Sequence, residues 1–215
     1  MRAGEAPLLV FGRAPRPGTT KTRLIGALGA AGAAQLSAAF LADVLATSAR
    51  VAPAVELWCP PEDVEEMEGA RPQRGDDLGA RMTHALADAL SRAPAALLIG
   101  SDVPTLPASH LAAALDALAR HDVVLGPSAD GGFYLIGARG EVPDLGGPIR
   151  WSSRHALDDV RARLRGLRVG LARPWYDVDT EEDLRLLRAH LALDPRAAPR
   201  SAATLADFDR MRRAT

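Results

Sequence analysis

One carboxylate closing an apolar run is the clearest chemical signal in this chain. Ala95 to Ile99 is apolar, and Gly100-Ser101-Asp102-Val103-Pro104-Thr105-Leu106 follows, so Asp102 stands at the carboxyl end of a strand just before a proline. In open α/β sheets ligands bind in the crevice beyond those ends, and an aspartate there is placed to hold a divalent metal against phosphate oxygens. A second acid group is Asp177-Val178-Asp179, leading into Thr180-Glu181-Glu182-Asp183. Carboxylates at i and i+2 of extended chain point the same way, so Asp177 and Asp179 could share one cation; Asp179 paired with Asp102 would make a two-carboxylate metal site. Asp179 or Thr180 also suits a helix cap, with Glu182 and Asp183 at the positive helix end.

Cations gather in a different segment. Gly12-Arg13-Ala14-Pro15-Arg16-Pro17-Gly18-Thr19-Thr20-Lys21-Thr22-Arg23 leaves an apolar run and enters a helical pattern. Backbone N–H groups at a helix start attract anions, and Arg13, Arg16, Lys21 and Arg23 multiply that attraction toward a diphosphate or triphosphate. The spacing is not that of a P-loop, because neither Gly12 nor Gly18 precedes a lysine at the required interval. Downstream, Asp76 or Asp77 can cap a helix beginning near Leu78, while Asp77, Gly79 and Arg81 in that first turn are candidates to contact a base or ribose. Asp130-Gly131-Gly132 fits a hairpin turn, and it would also let a substrate approach bare backbone with Asp130 orienting a hydroxyl. Trp151 is a candidate wall for an acceptor pocket, and Ser152 or Ser153 a helix cap. The five histidines lack metal-ligand spacing, no Gly-x-Ser-x-Gly elbow occurs, and Cys59 has no evident base, which argues against acyl transfer.

These residues need a frame. Strands are expected at Pro7 to Phe11, Val55 to Cys59, Ala95 to Ile99, Asp122 to Leu125, Phe133 to Gly137 and Leu167 to Ala172. Helices are expected from about Lys21 to Arg50 with breaks near Gly26 and Gly29, then at Asp77 to Arg92, Pro107 to Arg120, Ser153 to Leu164 and Thr180 to Leu191. Leu36, Phe40, Leu41, Val44 and Leu45 follow the spacing of one buried helix face. The strand-helix alternation predicts a three-layer α/β/α sandwich on a mostly parallel sheet. A catalytic domain over residues 1–193 is followed by Asp194 to Arg200 as linker and Ser201 to Arg213 as a short helix, docked back, in a dimer contact, or a loose tail.

Composition narrows the classes further. The chain has 215 residues, is 47% hydrophobic and has a formal net charge of -1. That is enough for one full core, and the balanced charge points away from nucleic acid as a partner. A single cysteine excludes an internal disulfide and fits a reducing cytoplasm. No apolar run approaches the ~18 residues of a membrane span, and Met1 to Ala6 lacks the features of a signal peptide.

Taken together, Leu9-Val10-Phe11-Gly12-Arg13 with Lys21-Thr22-Arg23-Leu24, Gly75 to Met82, Gly100 to Leu106, Asp130 to Gly137 and Trp175 to Thr180 resemble, in order, a bacterial branch of the nucleotide-diphospho-sugar transferase superfamily. That superfamily has the type A glycosyltransferase fold. One branch is labelled arsenosugar biosynthesis glycosyltransferase, and phospholactate and molybdenum cofactor guanylyltransferases are more distantly similar. The resemblance implies a nucleotide under the first loop, Mg²⁺ or Mn²⁺ on Asp102, and Asp179 where sugar-acid cytidylyltransferases carry a second metal-binding acid. The family's Asp-x-Asp is reduced here to Ser101-Asp102-Val103, so one ligand must come from elsewhere. Lys21 matches the lysine with which nucleotidyltransferases neutralise the α-phosphate. The expected activity is a metal-dependent transfer of a glycosyl group from a sugar nucleotide to a small acceptor, with Lys21, Asp102 and Asp130 catalytic. Nucleotidyl transfer from a triphosphate to a phosphorylated metabolite, releasing pyrophosphate, is the alternative. A non-catalytic nucleotide-binding protein is a third reading, and a homodimer is possible.

Overall fold

The computed structural model describes residues 6–213. Residues 1–5 and 214–215, including the opening segment on which the signal-peptide expectation rests, lie outside the described residues. Among those described, seven strands form one sheet: β1 (Leu8–Phe11), β2 (Val55–Cys59), β3 (Arg71–Pro72), β4 (Ala95–Gly100), β5 (Val123–Pro127), β6 (Phe133–Arg139) and β7 (Val169–Leu171). Six α-helices accompany them: α1 (Ile25–Ala49), α2 (Leu78–Leu90), α3 (Ala108–Ala117), α4 (Ala156–Arg163), α5 (Glu181–Leu193) and α6 (Pro199–Arg213).

The strand order is β3-β2-β1-β4-β6-β5-β7, with β6 antiparallel to both neighbours and every other pair parallel. The expected mostly parallel sheet is therefore present. Chain order reverses direction between β1 and β4, which opens a crevice at their carboxyl ends. Both sheet faces are covered, so the strands read as continuous apolar runs. Leu8, Val10, Leu97 and Ile99 point toward α1 and α3. Leu9, Ala96 and Leu98 point the other way, onto Met82, Leu86 and Val160 of α2 and α4. Burying one such leucine contributes about 1.5–3 kcal/mol relative to leaving it exposed. A third cluster joins Leu36 and Phe40 of α1 to Leu184 and Leu187 of α5 and Leu205 and Phe208 of α6.

Several expected boundaries move for local reasons. Gly26 does not break a helix: Thr22–Leu24 forms a 3₁₀ turn, α1 begins at Ile25, and the break falls at Gly29, with φ 72° and ψ 164°. The segment Thr22–Ala49 is long and apolar enough to cross a membrane by length and composition, which a search for apolar runs misses because its apolarity is dispersed among alanines and glycines. Here α1 lies between the sheet and α5–α6. The 153–164 helix shortens to α4, and neither Ser152 nor Ser153 caps it. Ser153 Oγ instead donates to the Arg150 carbonyl and accepts from His155 N–H, while Ser152 has a left-handed φ of 54°. The final helix starts at Pro199, inside the expected linker, as suits a residue with fixed φ and no N–H. Its first turn is held by Asp43 of α1, whose carboxylate accepts from Arg200 N, Ser201 N and Ser201 Oγ at 3.1, 2.8 and 2.7 Å.

Candidate active site

The loop after β1 is shaped before it meets any ligand. Gly12 N–H donates to the Trp58 carbonyl, and the buried Asp63 accepts from Ala14 N at 2.9 Å and from the Arg16 guanidinium at 2.6 Å. Arg16 also grips Glu66, so this expected phosphate ligand is a loop anchor that faces away from the crevice. Thr20 Oγ1 closes the loop by donating to the Ala14 carbonyl and accepting from Arg16 N.

That closure delivers Lys21 in a left-handed conformation, φ 50° and ψ 46°. Such a conformation costs a non-glycine residue roughly 1–3 kcal/mol, so surrounding contacts must impose it. Here they do. Lys21 Nζ donates to Asp179 Oδ1 at 2.6 Å and to the Val178 carbonyl at 2.7 Å, and lies 2.8 Å from Asp102 Oδ1. An ammonium has three protons, and all three are met. Burial works against the charged amine, but Asp102 and Asp179 outweigh it and hold the Lys21 pKa above its ordinary value. The lysine side chain is 6% exposed, whereas those of Asp102 and Asp179 are 42% and 43% exposed.

The two acid-bearing loops are tied together by backbone and by a polar chain. Val178 N–H donates to the Asp102 carbonyl at 2.9 Å. Thr105 Oγ1, following Asp102, donates to Tyr176 Oη, which lies 2.8 Å from His190 Nδ1 on α5. Thr180 caps α5 in a reciprocal box with Asp183, as its sequence predicts. Asp177 does not share the Lys21 ammonium with Asp179. It accepts from Ser128 Oγ at 2.7 Å, and burial pushes its carboxyl up, opposed by the Ser128 bond and reinforced by Asp130.

A cleft of about 570 Å³ opens over these groups, lined among others by Gly12, Arg13, Arg23, Arg81, Asp130, Gly132, Trp151 and Asp177 as well as Lys21, Asp102 and Asp179. Asp130 Oδ1 accepts from Gly132 N at 2.8 Å, so it shapes its own turn while facing the cleft. Three expected site residues fall elsewhere. Asp77 is the N-cap of α2, accepting from Ala80 N at 2.8 Å. A Cβ on Gly79 would lie 2.2 Å from the Leu145 carbonyl, and one on Gly131 2.5 Å from that of Arg154. At both glycines the close approach is by the protein's own backbone, and neither lines the cleft.

Gln73 was not a sequence candidate. Its Nε2 donates to the Trp58 carbonyl at 3.1 Å; that oxygen can only accept, so the amide orientation is fixed and Oε1 remains as an acceptor in a cleft-lining residue. The preceding β3 is two residues long, too short to leave a periodic signal. As to a metal, Lys21 Nζ stands in for a cation and shows that Asp102 and Asp179 converge on one point. Among the described residues no group of three or more His, Cys, Asp or Glu forms a ready-made site. The pair therefore fits a hard divalent ion that draws its other ligands from phosphate oxygens and water.

Residues 33–153 match the family described as "Uncharacterized protein conserved in bacteria (DUF2064)". The chain belongs to this family. It is 35% identical over 179 residues to the 3-phospho-D-glycerate guanylyltransferase of Phenylobacterium zucineum (strain HLK1), covering 76% of this chain and 81% of that protein. A solved structure from Desulfovibrio desulfuricans G20, assigned as a nucleotide-diphospho-sugar transferase, matches with a TM-score of 0.86 and 32% identity over 98% of this chain and 97% of that one. A cytidylyltransferase from Leptospira borgpetersenii serovar Hardjo-bovis shares the fold, with a TM-score of 0.60 and 12% identity over 96% and 94% of the two chains. The family member is thus a transferase with the type A fold of the nucleotide-diphospho-sugar transferase superfamily.

Proposed function

We propose that this transferase moves a nucleotidyl group, preferably guanylyl, from a nucleoside triphosphate to a small phosphorylated acid and releases pyrophosphate. The observation that carries the reading is the ammonium of Lys21 held between Asp102 and Asp179 at the sheet's switch point. A cation center of that kind suits charge that accumulates between α- and β-phosphates. The family resemblance points first to glycosyl transfer; a guanylyltransferase relative of comparable length favours nucleotidyl transfer instead. Simple nucleotide binding without a reaction gives way to the same finding.

In this reading the acceptor's phosphate oxygen attacks the α-phosphorus, the bond from that phosphorus to the bridging oxygen breaks, and pyrophosphate leaves. Arg13 and Arg23, which line the cleft, bind the triphosphate, and Lys21 neutralises charge that grows on the α-phosphate and leaving group. Asp102 and Asp179 would hold Mg²⁺ or Mn²⁺, which supplies charge neutralisation across the phosphates. Gln73 Oε1 accepts from a donor on the base. An acceptor phosphate carries its own charge and needs no general base, so Asp130 is assigned to orienting the acceptor, with Trp151 as its wall. The cytoplasm, which supplies nucleoside triphosphates, is the compartment this reading implies.

The test mixes the protein with GTP, Mg²⁺ or Mn²⁺, and 3-phospho-D-glycerate or another phosphorylated acid, and follows pyrophosphate. Release that requires both substrates is the expected result. Metal-dependent liberation of nucleoside diphosphate from sugar nucleotides, with no pyrophosphate from any triphosphate, would sink the reading.

A further inference from the structure

We infer that Lys21 occupies the cation position of the free protein, so that the site takes its divalent ion only as a metal–triphosphate chelate and not as the bare ion. The inference rests on the proposed use of Asp102 and Asp179 as metal-holding acids, and it concerns what stands between them beforehand.

The geometry is that of a filled cation site. Lys21 Nζ lies 2.6 Å from Asp179 Oδ1 and 2.8 Å from Asp102 Oδ1, and a third contact of 2.7 Å to the Val178 carbonyl completes its donors. A divalent ion bound to the same two oxygens and an ammonium between them would exclude one another by charge and by space. Lys21 is also held from behind: the Asp63 and Thr20 contacts build the loop whose left-handed last residue it is. A bare ion entering the cleft must displace an ammonium whose three hydrogen bonds are satisfied. It would gain two carboxylates and the Val178 carbonyl in return, short of the six oxygens a hard divalent ion takes, because among the described residues no third His, Cys, Asp or Glu joins the pair.

A chelate changes both sides of the exchange. Its phosphate oxygens supply the coordination that the protein lacks, and they offer Lys21 a new anionic partner as it leaves the carboxylates. Ion and triphosphate are then coupled ligands, and coupling of this kind is reciprocal, typically 5–150-fold. Lys21 is the element that couples them.

The experiment titrates Mn²⁺ into the nucleotide-free protein, with free Mn²⁺ read by electron paramagnetic resonance, for the wild type and for Lys21→Met and Lys21→Gln. Circular dichroism identifies which variants fold; Gln is included because it keeps a polar end if Met fails. The expected result is Mn²⁺ binding that tightens on the order of tenfold in a folded neutral variant. In the same variant, binding of Mg²⁺ with a non-hydrolysable GTP analogue weakens on the order of tenfold or more, read by calorimetry. Unchanged or weaker Mn²⁺ binding in the folded variant overturns the inference. Pyrophosphate release is not the readout, so the two readings separate. Tighter Mn²⁺ binding in the variant, with no turnover of any triphosphate by the wild type, would leave the lysine's role standing and remove the proposed reaction. Turnover with unchanged Mn²⁺ binding would do the opposite.

Discussion

Two sets of aspartates show how the same side chain is used for architecture and for chemistry. At the base of α6, Asp43 has a side chain 1% exposed, and its carboxylate takes two backbone N–H groups and one hydroxyl, with Arg200 at 3.8 Å. In the cleft, Asp102 and Asp179 are each more than two-fifths exposed and share one ammonium. A sealed carboxylate with its lone pairs used holds two helices in register. An open pair carrying surplus negative charge keeps capacity for a ligand. Partial satisfaction next to a strained backbone is therefore what separates the cleft from the rest of the polar network.

The contrast can be broken at several points, beginning with the largest effect. Asp102→Asn should reduce turnover by about 100-fold or more while leaving the melting temperature within a few degrees of the wild type, as read by pyrophosphate release and calorimetry. Should it unfold the protein while Asp43→Ala does not, the division between the two sets is wrong. Asp43→Ala leaves three donors at the start of α6 without their acceptor. It should destabilise by about 2–3 kcal/mol in urea melts, with turnover per folded molecule unchanged.

A smaller, pH-dependent effect comes from Tyr134, whose hydroxyl donates to the Arg173 carbonyl and whose pKa burial pushes up from 10 to about 12. Because the folded value lies above the unfolded one, its contribution is fully present below pH 10 and is lost as pH rises through about 12. Urea melts between those limits should show falling stability in the wild type and a flatter profile in Tyr134→Phe. Smallest is the surface cluster of Glu56, Arg71, Asp88 and Arg92, where acids and cations balance. Arg92→Ala should change stability by less than about 1 kcal/mol and leave nucleotide affinity alone.

Much of this molecule is legible in local pattern. The strand ending at Gly100, the cationic loop, the inward face of α2 and the Thr180 cap follow from runs, spacing and turn chemistry within a few residues. Locally ambiguous residues take their roles from distant parts of the chain. Asp77 and Gly79 sit in one helix turn that suits either a cap or a ligand contact, and only packing against Leu145 and Trp151 decides for structure. Arg16 looks like its neighbours Arg13 and Arg23 until Asp63 and Glu66, far along the chain, claim it. Gln73 had no pattern to betray it, because its significance depends on the Trp58 carbonyl that turns its amide.

By itself the sequence determined the layers of the fold, the strand end that bears Asp102 and the loop that bears Lys21, because hydrophobic period and turn residues act over short range. Tertiary structure alone decided that Lys21 meets Asp179 across 158 positions and Asp102 at the same nitrogen. It likewise decided that Asp177 turns to Ser128. Those meetings depend on strand order and on which loops rise over the switch point, and neither is written in any local spacing.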